Sequence, residues 1–291
     1  MGQLVLNITQ STLLYLVIAF SLKYTYTTTG FFNIAYAIII TISAYFTFLL
    51  TITFNINLFI GSVYSILFSL LLSVSIYFII FKPLLKTKVP SWQMLIASIG
   101  LYIILQNIIS LYFGDDTKSF RTWKVKEGHQ ILGAYITDVQ IITIVVSIVV
   151  LILSWLLIEK TNIGKQIKAV SSNPSLSNIF GISANKAILY SFVLGSILAS
   201  VAGILIAADT DMTPTMGFNW LLYAVVAMII GGMGKMRYLL FGALLLATAQ
   251  HLSAYYLDSK WMNATAYIIL IVFLFFKPYG FSGKKLKKAE L

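Results

Sequence analysis

The chain is a succession of long apolar runs, each close in length to what a helix needs to cross a bilayer, roughly 20 residues. Nine segments reach or approach that length: residues 4–22, 30–53, 57–81, 92–113, 139–158, 187–208, 219–234, 238–257 and 262–277. They are too long for barrel strands and do not alternate with period two. Helices also satisfy their own backbone groups in lipid. The expected fold is therefore an all-α integral membrane protein, polytopic, with about 8–9 transmembrane helices. The second segment can be broken or re-entrant, because Thr25, Thr27, Thr28, Thr29, Gly30 and Asn33 make its start polar.

Composition agrees. Of 291 residues, 59% are hydrophobic and only 10% charged, where soluble domains run near one quarter charged. The mean hydropathy is +0.91, more apolar surface than one soluble core could hide. No polar linker separates two bodies, so residues 1–291 read as a single transmembrane domain. Within it lie a polar loop at 159–186 and a basic tail at 277–291. Met1 to Gln10 carry no side-chain charge, so the first run reads as a retained span rather than a signal peptide.

The formal net charge of +11 reports topology. With the C-terminus cytoplasmic, 15 of the 20 basic residues fall on the inner side, among them Lys82, Lys86, Lys160, Lys165, Lys168, Lys235, Arg237 and Lys277. Asp115, Asp116, Glu127, Asp138, Asp209, Asp211 and Asp258 fall outside. This is the positive-inside asymmetry. An odd number of spans then puts the N-terminus outside. The basic balance implies contact with anionic membrane lipid and excludes nucleic acid as the reason for the charge.

Several function classes drop out. No Asp, Glu, Lys or Arg sits well inside a span, which argues against proton pumps, proton-coupled carriers and voltage sensors. Cysteine is absent, and His129 and His251 stand far apart, so thiolate metal sites, Fe–S clusters and paired-histidine sites are not expected. There is no HExxH, no GxSxG and no P-loop. Neither catalysis nor a bound cofactor is expected of this chain.

The loop from Glu159 to Lys186 is the most unusual segment. Its start is basic and amphipathic. Asn173 is placed to cap a short helix with Pro174 at its first position. Leu176, Ile179 and Phe180 would share one face, and Gly181 would end it. Such a helix fits a soluble inner partner or lipid headgroups. Gly195, Ala199 and Gly203 have the spacing of close helix packing. Pro214 and Gly217 interrupt the apolar pattern, and Gly231, Gly232 and Gly234 can form a hinge or gate. Gln106 and Asn107 stand in an apolar span, where amides either join helices or line a path. Thr29 and Asn33 carry the same choice. The segment from Gly114 to Asp138, with Trp123, reads as an outer cap.

Taken in order, these stretches resemble the branched-chain amino acid permease family of ABC importers. The likeness is loose over Thr12 to Tyr45 and tightens at PLLKTK, IASIGLYIILQN and YFG, residues 83–114. It is closest from Thr161 to Gly283, through TNIGKQIKAVSSNPSLSNIFGISANK, TPTMG, GGMG, FGALLL and FFKPYGFSG. The resemblance implies a permease subunit moving substrate by alternating access. It implies a second permease, homologous or identical, two cytoplasmic ATP-binding subunits that hold ATP and Mg, and an external substrate-binding protein. Gly164, Lys165, Ala169, Asn173, Pro174 and Gly181 would form the element that couples to an ATPase. Thr29, Asn33, Gln106, Asn107, Pro214, Gly217, Gly231, Gly232 and Gly234 are candidates for pathway or gate. Where the family commonly has Asn-Phe-Ala-His-Gly-Glu, this chain has Asn33-Ile34-Ala35-Tyr36-Ala37-Ile38, and Met236-Arg237-Tyr238 replaces a Gly-Pro pattern. A permease or passive channel for urea, an amide or another small solute therefore remains an alternative, as does a membrane assembly subunit that transports nothing.

Overall fold

A computed structural model describes residues 2–87, 89–121, 128–131, 134–232, 236–277 and 279–283. Trp123, Gly234, Lys235 and the basic residues of 284–291 lie outside the described residues, as does Lys88. The apolar runs are largely helical among the described residues. Helix α1 (Gly2–Thr29) extends past the expected end at residue 22. The threonine run permits this because each hydroxyl folds back on its own helix, Thr28 to Tyr24 O and Thr25 O, and Thr29 to Thr25 O at 2.7 Å. The expected break is real and short. Gly30 has φ +76°, and the Asn33 carboxamide oxygen accepts from Ala35 N at 3.1 Å, turning the chain into α2 (Tyr36–Phe48).

A π turn at Leu49–Thr53 closes α2. Helix α3 (Leu58–Ile76) starts at Asn57, whose side chain accepts from Phe59 N at 2.9 Å. It runs through a second π turn (Tyr77–Phe81) into α4 (Lys82–Lys86). Then follow α5 (Ser91–Phe113), an antiparallel hairpin of β1 (His129–Ile131) and β2 (Ala134–Ile136), and α6 (Asp138–Lys160). Helices α7 (Asn162–Ser172) and α8 (Pro174–Ile179) are short. Helices α9 (Ala184–Asp209), α10 (Met216–Gly231), α11 (Met236–Tyr256) and α12 (Trp261–Phe276) complete the described chain. Among the described residues, seven helical rods are long and apolar enough to cross a membrane, with α10 and α12 as shorter apolar helices. The protein is a polytopic all-α membrane protein.

Two compact units divide the chain, with boundaries inside α1, α6 and α10. In the unit built from residues 20–122 and 150–218, α2 is buried along nearly its whole length and lies against α9, α3 and α5. Glycine makes this possible. A Cβ at Gly203 would overlap Ile40 O, and one at Gly217 would overlap Ala37 O, so α9 and α10 touch the α2 backbone directly. The expected packing role of Gly195, Ala199 and Gly203 is what this arrangement displays: all three are buried.

The other unit gathers residues 1–19, 123–149 and 219–286. Here a Cβ at Gly242 would overlap Ala227 O, so α11 and α10 are equally close. The fully buried Gln250 joins three helices: its oxygen accepts from the Tyr15 hydroxyl at 2.7 Å, and its nitrogen donates to Met262 O at 3.2 Å. Ser11 and His251 share a hydrogen bond of 2.8 Å. His129 pairs with Asp138 instead, at 2.8 Å.

Candidate functional site

The polar loop folds as two linked helices. Thr161 caps α7, accepting from Gly164 N at 3.2 Å. Gly164 has to be glycine, since a Cβ there would strike the backbone of Ile158 where the chain turns away from α6. Gly164, Ile167 and Val170 form the buried side of α7, with Ala169 half-buried beside them. Lys165 and Lys168 are on the exposed side, and Lys168 pairs with Glu159 at 2.6 Å.

Helix α8 is capped at both ends. The Asn173 oxygen accepts from Leu176 N at 3.0 Å, and Pro174 occupies the first turn, where its missing N–H costs nothing. Gly181 takes φ +78°, Gly181 N donates to Asn178 O, and Ile182 N donates to Ser177 O at 2.9 Å. This is a Schellman closure. Leu176, Ile179 and Phe180 are 50%, 80% and 75% exposed, so a six-residue helix spends its apolar side chains on its open face. The Asn178 oxygen accepts from Ala184 N at 3.1 Å, tying α8 to the first turn of α9.

That first turn leads into a buried aromatic group. The Tyr77 hydroxyl donates to Asn185 O at 3.1 Å. About two turns further along α9, the Phe192 ring lies 5.0 Å from Tyr77 and 5.4 Å from Phe81, centroid to centroid. The π turn aims both Tyr77 and Phe81 inward. The Thr25 hydroxyl donates to that of Tyr36 at 2.8 Å, and Tyr36 donates in turn to Phe192 O at 3.3 Å. A Cβ at Gly195 would meet the Tyr36 ring and hydroxyl, so the tyrosine fills the space that glycine leaves. Thr28 and Ser191 complete the set with a 2.8 Å hydrogen bond. Sequence reasoning singled out Tyr36 as a departure but missed Tyr77 and Phe192. A tyrosine and a phenylalanine among many in apolar spans carry no separate signal.

The pathway candidates are held by different local contacts. Thr29 is bonded within α1 and Asn33 shapes the α1–α2 turn, both buried. Pro214 is buried in the turn before α10, and Gly217 N donates to the Thr41 hydroxyl at 3.2 Å. Asn107 is exposed on α5 and donates to Ile103 O of its own helix at 2.7 Å; neither it nor Gln106 joins a second helix among the described residues. Within the described residues these amides meet no second helix, and Asn107 stands on the exposed side of α5.

Gly231 and Gly232 also differ from the expected hinge. Gly232 has φ +77°, and its bare side receives Ser282 and Tyr279. Phe281 N donates to Ile230 O at 2.8 Å and Ser282 N to Gly231 O at 3.2 Å. The glycines thus form a seat in which the segment after α12 caps the end of α10. The cap expected at Gly114 to Asp138 is partly described. Lys118 and Met212 exchange backbone bonds of 2.9 Å, and Arg121 pairs with Asp211. No cluster of metal-ligating side chains occurs among the described residues.

Residues 4–276 match the family described as the permease component of the branched-chain amino acid transport system. The chain belongs to this family. Among curated permeases it is similar to BraD of Pseudomonas aeruginosa, the high-affinity branched-chain amino acid transport system permease protein. The two are 29% identical over 197 residues, 65% of this chain and 64% of that one. A probable branched-chain amino acid transport permease of Methanocaldococcus jannaschii, LivH, is 29% identical over 226 residues, 73% and 72% of the two chains. The ribose import permease protein RbsC of Haemophilus influenzae is 27% identical over 139 residues, 43% and 42%. The matched stretch thus spans a little under two thirds of the first of these permeases.

Proposed function

We propose that this chain is the membrane permease subunit of an ATP-driven importer, and that α7 and α8 receive the push of a cytoplasmic ATPase. The observation that carries the reading is α8, a helix fixed by caps at both ends whose apolar side chains point away from the protein. Six residues are too few to hold a helix unaided, so the caps keep a rigid knob in place for a partner. Membership of the permease family supports the importer over a passive channel or an assembly subunit.

In this mechanism the chain hydrolyses nothing; two ATP-binding subunits hold ATP and Mg. Movement of α8 passes through the Asn178–Ala184 bond to the start of α9. From there Asn185, Ser191 and Phe192 carry it to α3, α1 and α2. The substrate is a branched-chain or related small amino acid, delivered by an external binding protein, and a second permease completes the path. The skewed distribution of basic residues supports a cytoplasmic α8 and C-terminal segment and an outer N-terminus.

Copurification tests the reading. Replacing Ile179 and Phe180 together by serine should leave the chain in the membrane but cut recovery of the ATPase and ATP-dependent uptake of labelled leucine. Full recovery and uptake in that variant would remove α8 from the coupling path.

A further inference from the structure

The exposed faces of the long helices are not alike. On α6 the exposed mid-span residues are Ile142, Val145, Ile148, Val149, Ile152 and Leu153, all large and apolar, as suits lipid. Helix α5 is built differently. Its buried side is well seated: the Ser98 hydroxyl accepts from Ile34 N at 3.2 Å, and the Tyr102 ring stacks on Phe218 with centroids 5.1 Å apart. Diametrically opposite, at seven-residue intervals, stand Gln93, Gly100 and Asn107. Gly100 has open space where a Cβ would be, and Asn107 is exposed. With Ile96 and Ile103 between them, these positions make the seam of a heptad repeat.

Depth makes this arrangement informative. At about 1.5 Å rise per residue, Gly100 and Asn107 lie roughly 3 Å and 8 Å from the middle of α5, inside a hydrocarbon core about 30 Å thick. Asn107 donates to Ile103 O and, at 3.4 Å, to the Gln106 carboxamide oxygen, while its own carboxamide oxygen accepts nothing among the described residues. Lipid tails have no donor to offer it. Glycine in the middle of an exposed helix face also gains nothing from lipid. Both residues are explained by a second helix, one that approaches closely at Gly100 and offers a hydrogen bond at Asn107. A carboxamide carries both donor and acceptor, so a helix with α5's own pattern meets this requirement.

We propose that the Gln93–Gly100–Asn107 face of α5 is the seam at which this chain packs against a membrane-spanning helix of a second permease subunit. The proposal rests on the importer reading above, which supplies the need for a second permease.

Site-specific photo-crosslinking in native membranes, with mass spectrometry of the adduct, tests it. The probe replaces one residue at a time: Ile104 flanking the α5 seam, Ile152 on α6 and Ile271 on α12, which are 61%, 50% and 65% exposed. The expected result is a permease adduct, with a copy of this chain or a homologue, from Ile104 and from neither other site. A permease adduct from α6 or α12 but not α5 overturns the seam and leaves permease pairing intact. Lipid adducts alone from all three overturn the seam and the pairing together. Asn107→Leu should reduce copurified permease roughly fivefold or more while Asn107→Gln retains it. Equal recovery in both variants overturns the role of the carboxamide.

Discussion

Helices α9 and α6 are both long, apolar and charge-free in their middles, yet they meet opposite surroundings. In its most apolar stretch α9 is 72% buried and α6 only 22%. The exposed helix is the more apolar of the two, and their faces differ in side-chain size. Helix α9 puts Gly195, Ala199 and Gly203 against α2 and keeps few large side chains on that face. Helix α6 turns Thr143, Ser147 and Ser154 inward and Ile, Val and Leu outward. Because lipid is as apolar as leucine, no hydrophobic drive gathers the large residues inside; the small ones go where backbones must meet.

Substitutions on the two helices put that contrast to work. The largest effect belongs to Gly203→Leu, where the new side chain has to displace the α2 backbone at Ile40. It should lose about 3 kcal/mol of stability, read as a fall in thermal midpoint in detergent; an unchanged midpoint would mean that α9 and α2 are not in contact. Tyr36→Phe comes next. It removes the bonds to Thr25 and Phe192 O while keeping the ring over Gly195, and should cost about 1 kcal/mol by the same assay.

Ser147→Ala on α6 runs the other way. Its hydroxyl is buried without a hydrogen-bond partner among the described residues. Removing it should raise stability by about 0.5 kcal/mol, and a clear loss would reveal a hidden partner. Smallest of all is Ile152→Val on the exposed face of α6, expected to stay within about 0.5 kcal/mol of the parent. A loss as large as that at Gly203 would break the contrast between the two helices.

The same contrast marks what the sequence could and could not reveal. Apolar runs locate the helices closely because the bilayer fixes their length, and Asn173, Pro174 and Gly181 announce the bounds of α8 through local chemistry. The extension of α1 to Thr29 was hidden, because threonines look like a break but bond to their own helix. The pairing of Tyr36 with Gly195 was also hidden: it joins residues 159 positions apart, and nothing local encodes that contact. Gly231 and Gly232 were visible as glycines, but the tail segment they seat is 48 residues away, so flexibility was the natural expectation.

The hydroxyls that line α2, α3 and α9 bond chiefly to their own helices. Thr41, Ser43, Thr47 and Thr51 of the α2 rod return to carbonyls three or four residues back, as do Ser65 on α3 and Ser196 and Ser200 on α9. Such surfaces are polar yet make few claims on their neighbours, the bond that Thr41 accepts from Gly217 N being one. If the far end of α9 shifts against α2, these bonds travel with their helices and none of them has to break. The cross-helix bonds Thr28–Ser191 and Tyr36–Phe192 O then hold α9 near its first turns while the rest of the contact offers little friction. Held there and with few hydroxyl ties further along, α9 can pivot against α2 about its first turns.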